Sequence, residues 1–241
     1  MTWTIGDVIA QTFRFFARNW VTLVVGNLLA IVIGSAPLVL WAAVTLAPLY
    51  AKLAAGGTPR EVVLATVAGS LALAGASSLV LWILFAPALS RIAVAAARDQ
   101  RPRLADLFDF RRAGTFLGAG MLAAIAICGG TLLLIVPGII AAIGLSLVSF
   151  FVVDEPALGA LDALNASWRA TRGHRLHLFG LLLVGAMANA ILQTILGLSL
   201  YLTPLLVALM LVSTPLWTLA LALVYLRIRP QPRSDLAALA A

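Results

Sequence analysis

Four long stretches of the chain carry no formally charged side chain, and together they cover most of its length: 19–51, 62–90, 113–153 and 176–226. A bilayer core about 30 Å thick is crossed by roughly 20 apolar residues in helical form. Backbone groups inside such a core must bond to one another, which leaves only helices or a closed barrel. Barrel strands alternate apolar and polar residues, and these stretches do not alternate. The pattern therefore predicts an all-α, multi-pass membrane protein.

The lengths of these stretches predict six transmembrane helices in a single domain, residues 1–229, followed by a flexible cytoplasmic tail at 230–241. The stretches 113–153 and 176–226 are each too long for one crossing, and Val136-Pro137-Gly138 supplies a break in the first. The predicted spans are about 20–46, 60–86, 113–135, 137–153, 176–198 and 203–226.

The distribution of basic residues predicts the orientation of these helices in the membrane. Lysine and arginine number 16 against nine acids, for a net charge of +7. With six spans, 14 of the 15 arginines fall on the side that holds both termini, and the other side holds only Lys52 and Arg60. Because lysine and arginine collect in cytoplasmic loops, both termini are predicted to be cytoplasmic. The charge lies in short loops between apolar stretches, which indicates anionic lipid head groups rather than nucleic acid as the partner.

Three stretches on that side are predicted to be amphipathic helices lying on the membrane surface: 4–18, 103–112 and 155–172. In the first, Thr4 and Asp7 form a capping-box-like pattern at the helix start. Polar and apolar residues then occupy opposite faces. Helices of this kind, with basic and aromatic edges, lie in the plane of the head groups.

The first and third of these stretches also match each other. Residues 7–14 and 162–169 agree in type: an aspartate, an aliphatic pair, a hydroxyl, an aromatic and an arginine. The agreement predicts three repeats, each a surface helix followed by a transmembrane hairpin, although the middle copy fits poorly.

Two motifs carry a resemblance to a known family. They are Ile135-Val136-Pro137-Gly138-Ile139-Ile140 and, after Asp154-Glu155, the run Ala163-Leu164-Asn165-Ala166-Ser167-Trp168-Arg169-Ala170-Thr171-Arg172-Gly173. The chain resembles the membrane domain associated with bacterial glycerophosphoryl diester phosphodiesterases, and related six-helix bacterial proteins of unknown function. The resemblance implies the fold and the membrane location. In members that are enzymes, catalysis belongs to an appended soluble barrel of about 250 residues, so the resemblance implies no catalytic residue in this sequence.

Candidate chemistry inside the spans is sparse. No formal charge lies within them, which argues against proton pumping and intramembrane catalysis. Asn27, Asn189 and Gln193 are the notable polar residues, and either they bond neighbouring helices or they line a path for a small substrate. His174 and His177 have the spacing of a metal pair but lack further ligands nearby. We expect no catalytic, metal or cofactor residue.

The single cysteine, Cys128, lies inside an apolar stretch and is expected to be a buried small hydrophobe.

The leading hypothesis is a non-enzymatic protein of the bacterial inner (plasma) membrane that acts as a lipid-interacting scaffold, or as an accessory or regulatory subunit. A protein partner or a second copy of the chain is compatible with this role. The residues predicted to contact head groups or a partner are Arg14, Arg18, Arg101, Arg103, Arg111, Arg112, Arg169, Arg172 and Arg175. The alternative is a small permease or export component for a lipid, peptide or hydrophobic solute that uses the three amides. A membrane enzyme ranks third, with Asp154, Glu155 and His174 as its only plausible collection of ionisable groups.

Overall fold

All regular structure is helical in the part of the chain that the computed structural model describes, residues 4–54, 60–197 and 203–229. A five-residue 3-10 helix, Leu104–Phe108, lies between α2 and α3. The α-helices within those ranges are α1 (Ile5–Ala54), α2 (Arg60–Ala97), α3 (Ala113–Leu133), α4 (Ile135–Leu145), α5 (Val148–Asp154), α6 (Ala160–Ala170), α7 (Arg175–Gly197) and α8 (Thr203–Ile228). The predicted tail, 230–241, lies outside these ranges.

Six helical segments in those ranges are long and apolar enough to cross a membrane, which confirms the predicted number. They are Ile5–Thr45, Ser70–Ala97, Ala113–Leu133, Ile135–Asp154, Arg175–Thr194 and Ala208–Ile228. The fourth combines α4 and α5, which are separated only by a turn at residues 146 and 147.

The first two helices are longer than predicted. The backbone of α1 leaves helical torsions at Asn19 (φ −119°, ψ 15°), which separates residues 5–18 from the apolar segment that follows. α2 continues to Ala97 rather than ending near residue 86, and Pro87 lies inside it. Proline removes one helical hydrogen bond, and neighbouring groups can compensate for that loss in a membrane helix.

The turn between α3 and α4 falls earlier than predicted. Leu134 alone is extended (φ −165°, ψ 148°), and Pro137 lies in the first turn of α4. A missing N–H costs nothing there, because the first N–H groups of a helix have no intrahelical acceptor. The helices cross so closely that a Cβ on Gly138 would lie 2.8 Å from the Thr131 backbone. Glycine therefore permits this crossing instead of making the break.

The predicted surface helices differ in length from the observed ones. Thr4 and Asp7 form the predicted cap, since the Asp7 N–H donates to Thr4 Oγ1 (3.2 Å) and the Thr4 N–H donates to Asp7 Oδ2 (3.3 Å). The prediction of a helix over 103–112 is wrong, because only the 3-10 helix forms and Asp109 is extended after it. The third helix occupies 160–170 rather than 155–172, consistent with the restriction that Pro156 places on the residue before it.

The buried core lies toward one end of the bundle. Toward the opposite end exposure rises, to 72% at Val44 of α1 and 88% at Leu132 of α3. Cys128 on α3 is exposed, so its predicted burial is wrong. The large side chains with at most 2% exposure include Ile92, Leu107, Leu147, Phe150, Phe151, Val152, Leu219 and Tyr225.

Candidate functional site

Polar contacts bring four distant segments of the chain together at the well-packed end. Arg18 of α1 donates to both carboxylate oxygens of Asp99, just after α2, at 2.8 Å. Arg227 of α8 donates to Gln11 of α1 at 2.7 Å. Arg112, just before α3, donates hydrogen bonds to backbone carbonyls of the loop before α6. We call this region the arginine-rich end, and the region around the Leu134 turn the opposite end.

Asp154 is the centre of the polar network at the arginine-rich end. Its carboxylate accepts from Arg98 (2.6 Å), from Arg229 (2.9 Å) and from the Tyr225 hydroxyl (2.8 Å). The Asp154 side chain is only 6% exposed. A buried carboxylate needs such partners, because removing it from water without them costs on the order of several kcal/mol. These four residues, the Asp154 cluster, join the ends of α2, α5 and α8.

Aromatic packing encloses the Asp154 cluster on its apolar side. The Tyr225 ring is stacked on Phe150 (5.8 Å between centroids) and meets Phe151 edge-on (4.9 Å). The hydroxyl of Tyr225 is thereby held at the carboxylate, while its ring belongs to the core.

Two further arginines fasten loops at this end. Arg112 donates to the carbonyl oxygens of Glu155 (3.2 Å) and Leu158 (2.6 Å). Arg91 pairs with the Asp109 carboxylate (2.7 Å) and also donates to the Asp109 carbonyl. The backbone N–H of Arg111, together with the charge of Arg91, lowers the pKa of Asp109 below its ordinary value. Arg112 thus fixes the loop before α6, and Arg91 fixes the loop after the 3-10 helix.

The Ser167-Trp168 motif has a structural role. Gly144 lies in the last turn of α4, where carbonyl groups lack partners within the helix. The Ser167 hydroxyl donates to the Gly144 carbonyl (2.8 Å), and Thr171 contributes a longer bond (3.4 Å). The Trp168 ring covers Gly144 so closely that a Cβ there would clash with it. The motif therefore docks α6 onto the end of α4.

Arg175 lies over the ring of Trp168. Its guanidinium carbon is 4.1 Å from the Trp168 ring centroid, a cation–π contact. Its buried Nε and Nη2 atoms have no hydrogen-bond partner in the described ranges.

The structure divides the nine arginines predicted to meet head groups or a partner. Arg18, Arg112 and Arg175 contact other groups of the protein, as described above. The Arg111 side chain is 90% exposed and forms a 3.3 Å ion pair with Asp109. The other five are exposed and form no ion pair among the residues described: Arg14, Arg101, Arg103, Arg169 and Arg172.

The three predicted intramembrane amides do not come together. Asn27 is 1% exposed, and its amide donates to the Leu211 carbonyl (3.2 Å). Pro215 cannot donate to that carbonyl, since it lacks an N–H. A cavity of about 20 Å³ beside Asn27 has room for about one water. Asn189 and Gln193 are exposed on α7 instead. Asn27 thus replaces a hydrogen bond missing from α8.

The Asp154 cluster was not predicted from the sequence. The sequence alone suggests Asp154 with Glu155 and His174 as the possible ionisable groups of an enzyme, whereas the Asp154 carboxylate accepts hydrogen bonds from two arginines and a tyrosine. One signal was available: Asp154 directly follows a stretch of 41 uncharged residues, 113–153, in a chain with only nine acids. The partners could not be identified because they come from α2 and α8, far away in sequence.

These features define a multi-pass, all-helical protein whose helices have the length and composition of membrane spans, with one arginine-rich end. Residues 79–228 match the family described as domain of unknown function DUF7847, and the chain belongs to that family. The match covers more than half of the chain and includes Arg98, Asp154 and Tyr225 of the Asp154 cluster. No curated protein and no solved structure matches the chain. The resemblance to the phosphodiesterase-associated membrane domain stays a prediction.

Proposed function

We propose that this chain is a non-enzymatic protein of the bacterial plasma membrane, with both termini in the cytoplasm, that acts as a lipid-interacting scaffold or accessory subunit. Its arginine-rich end would meet the anionic head groups of the cytoplasmic leaflet. One observation carries the proposal: five exposed arginines on three separate segments have no ion pair in the described part of the chain.

Three of the acids at this end are not available to those arginines, because each is already paired with another arginine. Asp99 is paired with Arg18, Asp109 with Arg91, and Asp154 with Arg98 and Arg229. An excess of positive charge therefore remains at the surface. Each arginine near an anionic leaflet contributes about 1 kcal/mol of attraction. The same surface would suit an acidic partner protein, which the scaffold role also allows.

The permease hypothesis would need a shared polar path. Asn27 is buried and bonded to α8, while Asn189 and Gln193 are exposed on α7. No observation favours that function, so we do not propose it.

The test replaces Arg14, Arg169 and Arg172 together by glutamine and compares this variant with the same three positions changed to lysine. In nanodiscs of mixed anionic and zwitterionic lipid, the glutamine variant should lose a large part of the anionic-lipid enrichment around the protein, because three of the five exposed arginines are neutralised. The lysine variant should keep it, because its charge is unchanged. Equal enrichment around both variants would contradict the proposal. The orientation is tested separately, by whether the thiol of a chain with Ala170→Cys and Cys128→Ser reacts only from the cytoplasmic side.

A further inference from the structure

A cleft of about 450 Å³ opens where α1 leaves helical torsions. Its wall is formed by residues 18–22 of α1 on one side and by Asp99, Arg101 and Pro102 on the other. This volume lies within the range of small-molecule sites, about 300–1,000 Å³. The cleft therefore has room for a polar head group.

The two sides of the cleft differ in character. Trp20 (54% exposed) and Val21 (52% exposed) begin the apolar segment of α1. Arg18 and Arg101 provide positive charge beside them. A tryptophan next to arginines at the start of a membrane-length helix is typical of the head-group level of a bilayer. The cleft thus offers charge on one side and apolar surface on the other, as an amphiphile requires.

The charge of the cleft specifies its ligand. Arg18 donates to Asp99 through Nη1 alone, and Arg101 is exposed without an ion pair in the described ranges. Two guanidinium groups and one carboxylate leave a net charge of +1, which a lipid with one phosphodiester and no cationic group neutralises and a zwitterionic lipid does not. Asp99 has the left-handed φ of +57° that Asp tolerates, and in this conformation the turn after α2 holds its carboxylate against Arg18.

We propose that this cleft binds the phosphate of one anionic glycerophospholipid, with Arg101 as the main phosphate contact and the acyl chains lying along Trp20 and Val21. The inference rests on the proposed function, since it places the cleft in a membrane. It goes further by assigning one discrete lipid site with a stoichiometry of one, in addition to general attraction to an anionic surface.

The experiment uses the full chain in detergent and measures the affinity of the first bound lipid by native mass spectrometry. Arg101→Gln is compared with Arg103→Gln, a matched control. Both arginines are exposed, lie in the same loop and lack an ion pair in the described ranges, but only Arg101 lines the cleft. The lipids are phosphatidylglycerol and phosphatidylcholine, with soluble glycerol phosphate as the headgroup without its chains.

Wild-type protein should bind the first phosphatidylglycerol about tenfold more tightly than Arg101→Gln, the scale of a lost charged hydrogen bond. Arg103→Gln should lose much less affinity, because Arg103 contributes only general attraction to anionic lipid. Phosphatidylcholine should bind weakly to all three, and glycerol phosphate should compete poorly. Equal affinities for the two variants would overturn the discrete site. Binding of glycerol phosphate as tight as that of phosphatidylglycerol would overturn the lipid assignment.

These results separate the two proposals. If Arg101→Gln and Arg103→Gln lose affinity equally while the triple glutamine variant loses lipid enrichment, the surface attraction stands and the discrete site fails. If the triple variant keeps its enrichment, the proposed function fails whatever the cleft does.

Discussion

Leu147 and Leu133 are both leucines of membrane-length segments, yet Leu147 is fully buried and Leu133 is 80% exposed. Leu147 lies in the turn between α4 and α5 and belongs to the buried core, which the short helices 104–108 and α6 help to form at the arginine-rich end. Leu133 lies at the opposite end, beside the one-residue turn at Leu134. The contrast shows that the buried core and the ion pairs of the described residues lie at the same end of the bundle.

The physical reason lies in the solvent. In a bilayer, lipid chains are as apolar as leucine, so little hydrophobic force draws helices together and packing or polar bonds must do so. The arginine-rich end has both kinds of contact. At the opposite end, exposed side chains such as Val44 and Leu132 can contact lipid without loss.

The largest expected effect comes from removing the centre of the Asp154 cluster. Asp154→Asn leaves Arg98 and Arg229 without their counter-charge, so we expect a loss of about 4 kcal/mol in the free energy of unfolding. Equilibrium unfolding of the purified protein in mixed micelles measures it. Asp162→Asn, at an exposed acid without an ion pair in the described ranges, should change stability by less than about 0.5 kcal/mol. Similar losses in both variants would show that the network contributes little.

A smaller effect tests the packing contrast directly. Leu147→Ala should cost about 3 kcal/mol, because it removes a fully buried side chain and leaves a cavity. The same change at Leu133 should cost less than about 0.5 kcal/mol, because that side chain has few protein contacts to lose. The measurement is the same unfolding experiment. A large loss at Leu133 would mean that the opposite end is covered by protein, as in a homo-oligomer.

The smallest effect concerns Asn27. Asn27→Leu removes the hydrogen bond to the Leu211 carbonyl and should cost about 1 kcal/mol, within the range for bonds between membrane helices. In a Pro215→Ala background the new N–H can satisfy that carbonyl, so the cost of Asn27→Leu should fall. A double-mutant cycle measures this coupling. Additive effects of the two substitutions would disprove the explanation given for Asn27.

The number of membrane-length helices could be predicted from the sequence because it depends on length and charge alone. Other features could not. Proline in the first turn of a helix and proline at a break give the same local signal, so the sequence predicts the turn at Val136–Gly138 although the structure has it at Leu134. Cys128 was placed in the core because hydropathy cannot distinguish a side chain that faces lipid from one that faces another helix.

The candidate site was predicted in outline only. Charge patterning gathered the arginines on one side, and contacts such as Arg18 with Asp99 bring those segments together. Which arginines bind within the protein could not be predicted, because a pairing such as Arg98 with Asp154 depends on the packing of distant helices.

The three-repeat hypothesis stays a prediction. Two observations support a relation between its first and third copies: Val8 and Ala163 are both fully buried, and Thr12 and Ser167 are both at most 4% exposed. Each pair occupies equivalent positions in the two copies. The middle copy forms only a 3-10 helix.

The exposed thiol of Cys128 gives the natural sequence one chemically addressable position on the outer face of α3. It lies six residues before the Leu134 turn, about 9 Å along the helix axis. A nitroxide attached there would sit among acyl chains without displacing any core side chain. Its accessibility to oxygen and to a water-soluble relaxation agent would then report how deeply that end of the hairpin is immersed, with no engineered cysteine.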